Sequence, residues 1–82
     1  MKYEKALRVI ADQIISHRKS AAELEATHMG FDCQFDDPKA EYCHMQDTQT
    51  ANQLELAAYS IGEDEGDWVN KTVHDEYWSQ RF

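Results

Sequence analysis

Four side chains near the middle of this sequence, His28, Cys33, Cys43 and His44, form the one cluster whose residue types match metal-ligand chemistry. Structural zinc sites usually place paired ligands two to four residues apart on a tight knuckle, so that both side chains point the same way. Here the steps are five, ten and one residue. Read as a strand, Cys43 and His44 would point to opposite faces, which makes a shared ion awkward. Buried free thiols are expected ahead of a disulfide between facing Cys33 and Cys43, which an intracellular chain would rarely keep, and a zinc-stapled module ranks behind both.

His74-Asp75-Glu76 is the run that most resembles acid–base machinery. Consecutive helix residues diverge by about 100°, so these three cannot converge on one substrate atom, and a solvated helix face accounts for them better. The chain has no nucleophile elbow, no glycine-rich phosphate loop and no paired-histidine zinc motif. One small domain also has little room for a cleft that excludes water. The expectation is a protein that is not an enzyme, with no catalytic residue, no resident metal and no cofactor.

Charge is the stronger signal. The 82 residues carry sixteen acids against eight lysines and arginines, a net charge of −8. Residues 1–20 hold five of those bases and only Glu4 and Asp12, whereas residues 21–82 hold three bases and fourteen acids. Net charge of this size repels itself and costs stability, so its explanation lies in what the surface meets. The acids concentrate in Glu63-Asp64-Glu65-Gly66-Asp67, with Trp68 beside them, and in a second cluster, Asp36-Asp37. Carboxylates steer a basic partner and an adjacent tryptophan can anchor it. Trp78 and Phe82 could extend the same patch.

The same balance argues against direct nucleic-acid binding, which needs a basic stripe to displace counterions from phosphates. Residues 26–31 faintly echo the turn of a helix-turn-helix. The following recognition helix would then have to include Asp36, Asp37 and Pro38, setting carboxylates against phosphate and a breaker inside the helix.

These residues must be positioned by helices. Tyr3, Leu7, Ile10, Ile14, His17, Ala21, Leu24 and His28 recur at steps of four and three, lining one face of a helix that ends near Gly30. Ser20 followed by Glu23 matches a capping box that could split it near residues 16–19 and give four helices, but alanines and glutamates on both sides favour one continuous helix, hence three. Phe31, Cys33 and Phe35 alternate with polar residues, Asp36-Asp37-Pro38-Lys39 gives a turn signal, and residues 41–45 alternate weakly. A short β-hairpin or an ordered loop is expected at about residues 31–45. Asp47 or Thr48 then caps a helix with core positions Ala51, Leu54, Ala58 and Ile61, ended by Gly62. Residues 63–67 read as an acidic connector, and Asp67 as the cap of a final helix carrying Val69, Val73 and Tyr77.

The fold expected is therefore mainly α: one small helix-rich domain over residues 1–82, because so short a chain cannot build two cores. An apolar fraction of 41% and a mean hydropathy of −0.79 suit a globular chain with a modest core. No stretch reaches the roughly 18 uncharged apolar residues of a membrane span, and the N-terminus is charge-studded where a signal peptide would be apolar, so a cytoplasmic location is expected.

The functional expectation is a small acidic protein-binding module. It would act as an inhibitor that presents a nucleic-acid-mimic surface to a basic nucleic-acid-handling protein. Glu63, Asp64, Glu65, Asp67 and Trp68 would carry the contact, with Asp36 and Asp37 as a second cluster. In size and charge the chain resembles small acidic inhibitors encoded by phages and other mobile elements, a likeness of composition that rests on no motif. The competing expectation is a self-associating helical adaptor, a homodimer in which the apolar stripe of the first helix pairs with its copy.

Overall fold

A computed structural model describes residues 3–30 and 34–78. They form three helices, α1 (Glu4–His28), α2 (Pro38–Ile61) and α3 (Glu63–Val73), and α3 runs on into a π-helical turn, His74–Trp78. The mainly helical bundle expected from the sequence is the fold. α1 is continuous: the capping box at Ser20 and Glu23 starts no new helix, because Ala21, Ala22, Leu24 and Ala26 are good helix formers on either side of it. Its last turn closes with the Met29 N–H donating to the Glu25 carbonyl at 3.0 Å, and Met29 itself is extended.

The expected hairpin is corrected. Its first arm lies partly outside the described residues, with Phe31 and Cys33, but its second arm, residues 41–45, is helical. The turn signal is a helix start: Asp37 is the N-cap, its side chain accepting from the Lys39 N–H at 3.0 Å, and Pro38 takes the first helical position, where its missing N–H costs nothing. The expected caps Asp47 and Thr48 are accordingly helix-interior residues. What remains of β-structure among the described residues is one bridge between Met29 and Phe35. It pins the connection through Gly30 N–H to the Gln34 carbonyl, 3.0 Å, and Asp36 N–H to the His28 carbonyl, 2.8 Å.

α1 and α2 lie antiparallel, as cross-links from His17 to Asp47 and from Glu25 to His44 require. Gly62 alone joins α2 to α3, so the chain reverses within one residue and α3 returns alongside α1. The core is small. Leu7, Ala11 and Ile14 of α1 meet Ala51 and Ala58 of α2 and Val69, Val73 and Tyr77 from the last segment. Alanines on the inner face of α2 let the neighbouring helices approach closely. Among the described residues, no polar or charged side chain is buried. Leu7, Ile14 and Ala21 of the α1 stripe are buried inside the monomer, whereas Tyr3 at its start is exposed.

Candidate functional site

The acidic segment is the first turn of a helix, which corrects its reading as a connector. Gly62 is the N-cap of α3, with no side-chain capping bond, and Glu63, Asp64 and Glu65 occupy the first turn. Four N–H groups point out of a helix start, and their partial positive charge favours carboxylates there. Local helix physics therefore explains part of the acidity. Glu65 is half-buried and lies over Gly62, where any added Cβ would collide with its carboxylate. Glu63, Asp64 and Asp67 are exposed. Asp67 accepts a hydrogen bond from the Tyr59 hydroxyl at 3.1 Å. That bond, with desolvation added, holds the Tyr59 phenol above its ordinary pKa.

Outward-facing residues continue along α3 as Lys71, His74 and Asp75. Asp64, Asp67, Lys71 and Asp75 follow steps of three, four and four, so they share one side of the helix over about 16 Å. Trp68, expected as a partner anchor, is half-buried and packs against the core cluster. Trp78 does the same from the π turn, its ring 4.9 Å from that of Tyr77. Phe82 lies outside the described residues.

Asp36 and Asp37 do not join this face. They sit at the start of α2, and the α3 acids follow its end, so the 24 residues of α2 separate the two clusters by about 36 Å. Asp37 is committed as the N-cap, and Asp36 faces His28 Nδ1 at 3.0 Å.

Many other carboxylates have an internal partner. Arg8 pairs with Asp12 at 2.9 Å and with Glu76 at 2.6 Å. Arg18, half-buried, reaches Glu55 at 2.8 Å and Asn52 at 3.2 Å, and its guanidinium lies 6.0 Å from the Trp78 ring centroid. Each of the four histidines lies beside a carboxylate: His17 by Asp47, His28 by Asp36, His44 by Glu25 and His74 by Asp75. Burial raises the pKa of Asp47, but hydrogen bonds from His17 and Ser20 and the charges of His17 and His44 outweigh it, leaving the carboxyl below its usual value. Apart from Arg8–Asp12 and His74–Asp75, which are near in sequence, this pairing had no signature there, because it joins residues 8 to 68 positions apart.

Two of the four candidate zinc ligands, His28 and His44, are engaged with Asp36 and Glu25; Cys43 is a free thiol, but exposed on α2 and not buried as expected, because residues 41–45 are helical and it falls on the outer face, and Cys33 lies outside the described residues. Among the described residues no group of three or more histidines, cysteines and carboxylates could hold a metal ion. Of His74, Asp75 and Glu76, expected to diverge, His74 and Asp75 instead lie together, Nδ1 to Oδ1 3.7 Å, and Glu76 alone turns away, toward Arg8. No helix is long and apolar enough to cross a membrane among the described residues. No protein-family model, curated protein or solved structure matches the chain.

Proposed function

We propose that this protein is a non-enzymatic binding module that offers the outer face of α3, through Glu63, Asp64 and Asp67, to a basic surface on another protein. The partner suited to such a face is a nucleic-acid-handling protein whose cationic cleft ordinarily meets phosphates. Carboxylates spaced along a helix present negative charge to that cleft much as a backbone would, and the module acts as its inhibitor.

One observation carries this reading. Asp12, Glu25, Asp36, Asp47, Glu55, Asp75 and Glu76 are each matched by an arginine or histidine of the chain itself. Among the described residues, no ion pair joins Glu63, Asp64 or Asp67 to a cation; the same holds for the exposed Glu4, Glu23 and Glu41, but only the α3 acids are gathered within five residues. A charge without an internal counterpart remains available to an external one. Trp68 is too committed to the core to anchor the complex, so charge and helix shape carry the recognition.

Capture from a cell lysate with the tagged full chain, at low and at high salt, tests this. The triple variant Glu63→Gln/Asp64→Asn/Asp67→Asn serves as the comparison. Nucleic-acid-handling proteins retained at low salt, released at high salt and lost with the variant are the expected result. Identical captures by both chains would remove α3 from the account.

A further inference from the structure

α2 presents a second kind of surface. Between Tyr42 and Ile61 no exposed position carries a charge; the helix directs its ionisable residues, His44, Asp47 and Glu55, toward α1. The outer faces of α1 and α3, by contrast, hold exposed acids and bases throughout. Large apolar side chains stand in water on the neutral face: Leu56 is 67% exposed, Tyr42 59% and Met45 46%. Protein interfaces are marked by such a composition, with charge depleted at the centre and tyrosine and methionine enriched.

Spacing identifies what the face fits. Tyr42, Met45, Gln49, Asn52, Leu56 and Tyr59 follow steps of three, four, three, four and three, the seam of a two-helix coiled coil. The sequence of that seam is chemically symmetric about its midpoint, between residues 50 and 51. Reversed on itself, it sets Tyr42 against Tyr59, Met45 against Leu56 and Gln49 against Asn52. Aromatic meets aromatic, aliphatic meets aliphatic and amide meets amide. Self-complementarity of this kind is what a two-fold axis demands, since residue i must meet j while j meets i.

We propose that the exposed face of α2 docks on a second copy of this chain, the two α2 helices packing antiparallel about the midpoint between residues 50 and 51.

Electrostatics selects the same occupant. Two bodies of charge −8 repel on every charged face, and this is the face whose six seam positions carry no charge. On one flank Gln46, Gln53 and Ser60 are uncharged; on the other, Thr48 is neutral, Glu55 is neutralised by Arg18 at 2.8 Å, and the exposed Glu41 lies at the end of the seam. Asn52 accepts from Arg18 within its own chain, which leaves its amide N–H groups to meet Gln49 of the second copy. The seam is about 27 Å long and one helix wide, and such a contact removes on the order of 1,000 Å² from water in total. That is the low end of specific interfaces, so a dimer with a dissociation constant of roughly 10 µM or weaker is expected.

This contact is independent of the α3 face, and salt distinguishes the two. Screening weakens a charge-steered complex but relieves the repulsion between copies, so dimerisation holds or strengthens as salt rises. The experiment is sedimentation equilibrium of the full chain under reducing conditions, from about 1 µM to about 1 mM. Reversible dimerisation over this range is expected, and a strictly monomeric chain, whose α2 face would then belong to a different partner, overturns the proposal.

Met45→Lys and Leu56→Glu each place charge in the seam and should weaken the dimer about tenfold or more. Both positions are exposed, so unchanged helical circular dichroism is the control for folding. In the double variant each introduced charge faces its opposite across the two-fold axis, and dimerisation should recover above either single variant. Dimers indifferent to Leu56→Glu would place the interface elsewhere. A double variant weaker than both singles would indicate a parallel pair. Either result overturns the antiparallel seam.

Discussion

Gly66 sits in the second turn of α3, where an alanine would ordinarily be better, and substituting it tests the α2–α3 contact directly. Ala exceeds Gly in a helix interior by about 1 kcal/mol. Gly66 is buried, however, and a Cβ there would come within 2.6 Å of Tyr59 Cε1 and closer still to Cδ1 and Cγ. Tyr59 is 39% exposed, so its ring can swing out. Doing so breaks the 3.1 Å bond to Asp67 and strips the ring from α3. That bond contributes about 0.5–1.5 kcal/mol, and forcing extra volume into a packed contact costs about 1–3 kcal/mol. Gly66→Ala should therefore destabilise the protein by roughly 1 kcal/mol despite its helix propensity. In a Tyr59→Ala background the obstacle is gone and the same substitution should stabilise by about 1 kcal/mol. The assay is urea unfolding of the four chains of this double-mutant cycle, at a concentration low enough to keep them monomeric. A coupling of about 2 kcal/mol with a reversal of sign is expected. The same sign in both backgrounds would refute the packing of the Tyr59 ring on Gly66.

Two further outcomes are expected. Arg18→Ala removes the Glu55 and Asn52 bonds and the contact with Trp78, and since Glu55 stays 31% exposed it is not left as a fully buried charge; a loss of about 2–3 kcal/mol in thermal or urea unfolding is expected, with Arg18→Lys losing less. Asp47 has a folded-state pKa below its unfolded value, so its contribution is complete above the unfolded carboxylate range and is lost as pH falls through the lowered value. Asp47→Asn should therefore destabilise at neutral pH and converge on the wild type in unfolding measurements below about pH 4.

The helical periodicities were legible because they report burial. Leu7, Ile14 and Ala21 on α1, Ala51 and Ala58 on α2, and Val69, Val73 and Tyr77 on the last segment all lie inside as their spacing implies, whereas Tyr3 and Ile61, at the ends of their stripes, are exposed because no neighbouring helix covers them. Segment starts were not, because the same residues have two physical uses. Asp37-Pro38 makes a turn or opens a helix, and the residues after it settle the choice: positions 39–46 contain no β-branched side chain to favour a strand. Residues 63–67 looked like a solvated connector because acids and a glycine are common in loops. The acids instead compensate a helix start, and the glycine makes room for Tyr59. The pairing of His17 with Asp47 and of His44 with Glu25 was invisible for a different reason, since it depends on the register between α1 and α2.

Nothing inside the monomer explains why α2 should be neutral on its outer side. Glutamate, lysine and arginine are as good helix formers as the glutamines found there, and a merely solvated helix face in so charged a chain would use them. Leu56 and Met45 gain nothing from water, and the core does not touch their exposed surface. The absence of exposed charge between Tyr42 and Ile61 thus points to two surfaces of opposite character on one small body, one that salt should weaken and one that salt should not. An exposed charge pair placed on the neutral face, Gln49→Glu with Gln53→Lys, separates solvation from contact. If the face is only solvated, the pair leaves sedimentation unchanged and stability within about 0.5 kcal/mol of the wild type. If α2 meets its copy, the same variant stays folded while its dimer dissociates, because Gln49→Glu places an unmatched carboxylate against Asn52 at the centre of the seam.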